Sequence, residues 1–261
     1  MLRDLPPIIY LAGIPALGIA AQWVAWRLRL PAIVLLLGFG FAVGQIVGPP
    51  AQYIERETLF PLISLAVGVI LFEGGLSLKL SELHETGTVV LRLVSLGLVA
   101  SWLLAATAAW WILEFSLPMA VLLGALLTVS GPTVILPLLR HVRPAKRISS
   151  VAKWEGIVND PIGAVLAALV FEVVAHGGLD SEHLASDSLL SLGRAVVVGV
   201  SLGVLGAWLL RYLLKHYWIP DYLQNPVFLA VILVLFAASN LLQHESGLLT
   251  VTLLGVILAN Q

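Results

Sequence analysis

The chain has 261 residues, 59% of them hydrophobic and only 11% charged, against about 45–50% and about 25% in soluble domains. That balance describes an integral membrane protein and excludes a soluble fold. The net charge of −1 and the scattered basic residues give no basis for nucleic-acid binding, and the absence of cysteine excludes disulfides, thiol catalysis and zinc–thiolate sites.

A membrane helix needs about 20 mostly apolar residues. Reading for such runs gives nine candidates: residues 7–26, 30–48, 58–78, 88–113, 117–139, 148–175, 189–213, 224–243 and 246–261. The breaks carry turn or charge signals: Arg27-Leu28-Arg29, Gly48-Pro49-Pro50, Ser81-Glu82-Leu83-His84-Glu85, Arg140-His141-Val142-Arg143-Pro144 and Gly177-Gly178-Leu179-Asp180. Met1-Leu2-Arg3-Asp4 leads into the first run without an early Ala-x-Ala site, so that run is expected to stay as a helix. The ninth run has 16 residues and stops at Gln261 with no polar flank, so the chain is expected to be the front part of a longer protein.

Lys and Arg set orientation. Arg27, Arg29, Lys79, Arg92, Arg140, Arg143, Lys146, Arg147, Lys153, Arg211 and Lys215 gather around the connections after the odd-numbered runs, 11 of the 14 basic residues. The other side holds Arg3, Arg56 and Arg194 and leans acidic, with Glu55, Glu57, Glu114, Asp180, Glu182, Asp187 and Glu245. The expectation is a multi-pass protein of the inner or plasma membrane with its N-terminus outside. An internal repeat is also visible. The second run carries Gly40, three apolar residues, Gly44 and Gln45; 215 residues on, the ninth carries Gly255, three apolar residues, Ala259 and Asn260. The same shift lays run one on run eight. Partners seven runs apart are inverted in the membrane, as in secondary transporters. Residues 1–175 would then be the first repeat, 189–213 a linker helix and 224–261 the start of the second, all within one transporter domain.

Three places carry chemistry. In run five, Thr128-Val129-Ser130-Gly131-Pro132-Thr133 breaks the helix: Pro132 removes a donor and clashes one turn back, and Gly131 resists little. Broken backbone at that depth is tolerated where it is buried or lines a cavity; a plain proline kink is the bland alternative. In run six, Glu155 and Asn159 lie one turn apart on one face, and Asp160 is rotated by about 100°. An Asp at mid-membrane costs roughly 2.5–3.5 kcal/mol, so Asp160 is expected to bind something. Carboxylate, amide, hydroxyl and carbonyl oxygens suit Na⁺ or K⁺. A structural buried acid, with Asn159 as a packing hydrogen bond, is the alternative. In run three, Glu73 precedes Gly74 and Gly75 and is expected to form a structural ion pair with a basic residue of another helix. His84, His141, His176, His183, His216 and His244 lie near run ends, and Trp110, Trp111 and Trp218 read as an interfacial belt. With no phosphate loop, no Ser-His-Asp arrangement and no paired histidines on a helix face, an enzyme is not expected, and no cofactor beyond transported Na⁺ or K⁺ and H⁺.

Leu71-Phe72-Glu73-Gly74-Gly75-Leu76, then Ser130-Gly131-Pro132-Thr133 with Pro137-Leu138-Leu139-Arg140, and above all Glu155-Gly156-Ile157-Val158-Asn159-Asp160-Pro161, resemble the cation/proton antiporter superfamily, sodium/proton exchanger type. The resemblance implies an all-α transporter of about 12 to 13 helices with inverted repeats, a dimerisation domain and a moving core, acting as a homodimer. It implies that Asp160 binds cation and proton in turn, that Asn159 marks electroneutral exchange, and a part in pH homeostasis. The chain departs from the family at the break. Where an acid is common, Gly131 stands, which shifts weight to Glu155, Ser130, Thr128 and freed carbonyls. Burial disfavours the bare Asp160 anion, and a cation or a proton relieves it; competition for that carboxylate would couple the two fluxes. A non-transporting membrane sensor on the same scaffold and a cation channel are the alternatives.

Overall fold

The computed structural model describes residues 6–175 and 182–261, with side chains from 190 onward in the second stretch. Arg3, His176, the Gly177–Asp180 break and the side chains of Glu182, His183 and Asp187 lie outside the described residues. Among the described residues all regular structure is helical: α1 (Pro7–Leu28), α2 (Ala32–Ile46), α3 (Arg56–Leu76), α4 (Leu83–Arg92), α5 (Leu98–Ile112), α6 (Leu117–Leu127), α7 (Pro132–Val142), α8 (Lys146–Ala175), α9 (Glu182–Lys215), α10 (Gln224–Leu242) and α11 (Ser246–Ala259).

Among the described residues, six helical stretches are long and apolar enough to cross a membrane: α1, α3, Leu80–Ile112, α8, Leu190–Lys215 and Asp221–Leu242. The α6–α7 pair, bent by 48° at its break, is a seventh if its halves form one span, and α2 and α11 are shorter apolar helices. These six, one and two account for the nine runs. Two boundaries move. The second run shrinks to α2, stopped by Pro31 before it and by Gly48, at φ 113°, and Pro49-Pro50 after it. The fourth starts earlier, because α4 is amphipathic: Thr86 and Val90 are buried while His84, Glu85 and Arg92 point outward. A five-residue π-helical segment, Leu93–Gly97, joins α4 to α5, and Ser95 Oγ donates to the Leu91 carbonyl at 2.6 Å.

Two compact units divide the chain. One comprises Met1–Ala66 and Thr133–Pro144. In it α1 packs on α2; Tyr10 stacks on Tyr53 with centroids 4.3 Å apart, and Tyr53 Oη donates to the Val47 carbonyl at 2.9 Å. The other comprises Val67–Pro132 and Ala145–Gln261 and holds the sites described below. Its inner end of α3 crosses α11 backbone to backbone. A Cβ on Gly75 would sit 2.5 Å from the Thr252 carbonyl oxygen, so only glycine allows the approach. Leu78, Val90, Trp154 and Ile157 form a buried cluster joined by Val256. Trp154 thereby departs from the belt, in which Trp110, Trp111 and Trp218 are exposed. Ser239, Ser246 and Thr250, all fully buried, bond hydroxyl to hydroxyl at 2.7 Å between α10 and α11.

Candidate functional site: a helix break against an acid-bearing helix

The break forms where proline chemistry puts it. α6 ends at Leu127, Thr128–Gly131 leave helical geometry, and α7 begins at Pro132. Thr128 is 7% exposed, and its Oγ1 donates to the Ala125 carbonyl at 2.7 Å, closing the end of α6. That hydroxyl keeps its acceptor lone pairs free for another partner.

α8 packs on the break at Gly163. A Cβ on Gly163 would lie 3.0 Å from Val129 Cγ2 and 3.1 Å from Thr128 Oγ1. Toward the other end, Gly74 of α3 lies between Pro132, 3.1 Å from a notional Cβ, and Ile157, at 3.6 Å. Ile157, Asp160 and Gly163 follow one another at three-residue spacing, hence along one face of α8. Asp160 therefore lies close to one turn before the Gly163 contact. It is partly buried, and among the described residues no side chain is hydrogen-bonded or ion-paired to it.

The neighbouring oxygens are partly committed. Asn159, 4% exposed, donates through Nδ2 to Glu155 Oε1 at 2.8 Å. Ser130 Oγ reaches the same oxygen at 3.4 Å, a long contact. The Glu155 carboxylate dictates the orientation of the Asn159 amide, because the flipped amide would set oxygen against oxygen. Asn159 Oδ1 is then a buried acceptor with no partner among the described residues. Such an atom costs roughly 1–3 kcal/mol unless something binds it. Glu155 also lines an open cavity of about 460 Å³ walled by Val89, Leu93, Ile148 and Val151, with Arg147 as its second polar residue.

The residues marked from sequence thus fall into two groups. Thr128, Ser130, Gly131 and Pro132 form the break, Ser130 and Asn159 meet at the Glu155 carboxylate, and Asp160 follows Asn159 on α8. Glu73 does not join them: it is exposed on α3, and among the described residues it makes no ion pair. Sequence reasoning missed a second polar cluster. Lys153 Nζ is 3.1 Å from Glu82 Oε2, and Ser150 Oγ donates to the same oxygen at 3.1 Å. The sequence ties Lys153 only to topology; its place seven residues before Asp160 on one helix is the available signal.

A proline-broken span packed against a helix with an unpaired intramembrane acid defines a polytopic membrane protein built around a polar site. The chain belongs to the family described as sodium/hydrogen exchanger, transmembrane, whose model matches residues 13–261. It is similar to the K(+)/H(+) antiporter NhaP2 of Shewanella sp. (strain MR-4), 25% identical over 250 residues, 96% of this chain and 43% of that protein. It is also similar to Na(+)/H(+) antiporter 1 of Methanocaldococcus jannaschii, 25% identical over 266 residues, 96% of this chain and 59% of that protein. The chain spans about half the length of the curated relatives it matches. The electron-microscopy structure of the sodium proton antiporter MjNhaP1 from Methanocaldococcus jannaschii shares the fold: TM-score 0.74 at 23% identity, over 97% of this chain and 61% of that one.

Proposed function

We propose that the protein is a monovalent cation/proton antiporter of the plasma membrane, in which Na⁺ or K⁺ and H⁺ compete for Asp160. The observation that carries this reading is Asp160 itself, partly buried and without a bonded side chain among the described residues, one residue after Asn159 with its unpaired Oδ1 and on the helix that packs on the break at Gly163. A bare carboxylate in lipid is costly. A bound cation or a proton neutralises it, so the loaded site can change exposure from one side to the other while the empty one cannot. That asymmetry couples one flux to the other. Asn159 Oδ1, Glu155, the Thr128 and Ser130 oxygens and carbonyls freed at the break would complete a cation shell. The family matched by residues 13–261 supports antiport as the class of transport, and the named relatives include both Na(+)/H(+) and K(+)/H(+) antiporters.

Several finer points belong to the same proposal: one cation per proton, an outside N-terminus, a homodimer, inverted repeats, and a part in pH homeostasis. Glu73 would pair with a basic residue of another helix. Gly131, standing where an acid would strengthen the site, favours a second reading, a cation sensor that does not transport. One assay separates the two. In proteoliposomes of the full-length protein, a Na⁺, K⁺ or Li⁺ gradient drives proton movement read by a pH-sensitive dye, and Asp160→Asn abolishes it. Unchanged exchange in Asp160→Asn overturns the site. Cation binding without proton movement in the wild type identifies the sensor.

A further inference from the structure

The link from Ser77 to Glu82, between α3 and α4, is bonded on two sides. On one side stands Asn260, just past α11. Its Oδ1 accepts from the Leu80 N–H at 2.7 Å, and its Nδ2 donates to the carbonyls of Leu78 and Val256, each at 2.8 Å. On the other side stands α8. Lys153 donates to the Ser77 carbonyl at 3.4 Å and reaches Glu82 Oε1 at 3.3 Å and Oε2 at 3.1 Å. Ser150, nearly one turn earlier, donates to Glu82 Oε2. The link therefore ties α11 to the helix that carries Asn159 and Asp160.

The two ties differ in kind. Asn260 makes short neutral bonds beside the glycine-on-glycine crossing of α3 and α11, where the Gly75 position leaves no space for a shift. Lys153 and Glu82 form an ion pair with side chains 18% and 17% exposed, so each charged end touches water and is rehydrated as the largely buried pair opens, which makes the opening a discrete, costly step. Beneath them the Leu78, Val90, Trp154, Ile157 and Val256 cluster is apolar and non-directional; it can slide, whereas the ion pair and hydrogen bonds hold or break. The directional ties of α8 to the α3–α4 link are therefore those of Lys153 and Ser150.

We propose that Lys153 and Glu82 form a latch that holds α8 in one of two positions against the α3–α11 pair, and that the latch opens in each transport cycle. Lys153 is a positioning residue here: it acts on Asp160 by setting where α8 rests. This rests on the reading of Asp160 as a site of alternating exposure.

The chain contains no cysteine, which makes the test direct. In the reconstituted full-length protein, Glu82→Cys with Lys153→Cys is bridged by a short reducible bis-thiol reagent. Bridging is expected to cut cation/proton exchange more than tenfold, and reduction to restore it. Separately, Lys153→Met and Glu82→Gln shift a two-state balance, so the apparent KM for cation moves roughly threefold or more in opposite directions on the two membrane faces, and Lys153→Arg restores both. Undiminished exchange in the bridged protein overturns the latch, as does a KM that moves the same way, or not at all, on both faces. Asp160→Asn, run alongside, judges the antiport site independently: exchange there refutes the site, whereas a freely exchanging bridged protein refutes the latch with the site intact.

Discussion

Asn159 shows how one amide can be both satisfied and unsatisfied. Its Nδ2 has a charged acceptor in Glu155, and its Oδ1 has no partner among the described residues. Replacing it with alanine removes a good bond and an orphaned oxygen together, so the two effects on stability largely cancel, leaving roughly 1 kcal/mol or less. The cation KM, by contrast, is expected to rise more than tenfold. Thermal unfolding in detergent and exchange kinetics of Asn159→Ala read the two effects separately; a packing role gives the reverse, a destabilised protein with an unchanged KM. Glu155→Gln keeps an acceptor for Asn159 but loses the charge. It is expected to raise KM severalfold while leaving measurable exchange, and complete loss would move the shared site from Asp160 to Glu155. The four-residue spacing of Glu155 and Asn159 was legible in the sequence, because a helix fixes what lies one turn away. The orphaned Oδ1 was not, since it depends on the break beside it. Nor was the Lys153–Glu82 pair, whose partners are 71 residues apart.

At the scale of elements, the break and the helix beside it are fitted by small residues. Pro132 announces its interruption in the sequence through a missing donor and a steric clash. Gly163 announces nothing, because a glycine in an apolar helix reads the same whether or not a neighbour leans on it. The contrast with Gly44 is instructive: a Cβ there meets nothing within 4 Å. Gly163→Ala is therefore expected to destabilise the protein by about 1–3 kcal/mol through overpacking and to slow exchange by displacing Val129 and Thr128. Gly44→Ala is expected to leave both unchanged. Gly75→Ala, aimed at the Thr252 backbone, is expected to be worse than Gly163→Ala, since a main-chain carbonyl yields less than a side chain. Melting temperatures of the three variants in one detergent give the order, and any other order shows that these contacts do not govern the packing. The amphipathic α4 escaped a reading based on apolar runs for a related reason: its polar face lowers the average while Thr86 and Val90 still pack inward.

For the whole molecule, the nine runs were legible because lipid demands long apolar helices, a stronger constraint than any soluble core imposes. The division into two units was not, since it depends on which faces meet, and most faces of these helices are apolar. One feature carries its own consequence. Pinned between Pro31 and the Gly48-Pro49-Pro50 stop, α2 has 15 residues, and so rises roughly 22 Å at about 1.5 Å per residue. The hydrocarbon slab is about 30 Å thick. Lipids beside α2 must compress or its polar flanks must be drawn inward, at a fraction of a kcal/mol per Å. Hydrophobic mismatch is thus the expected consequence if α2 spans, and under the proposed antiport bilayer thickness is expected to act on turnover. Exchange in phosphatidylcholine vesicles is expected to be fastest with acyl chains of about 14 to 16 carbons and to decline toward about 22; a flat profile would mean that neighbouring helices shield α2 from lipid.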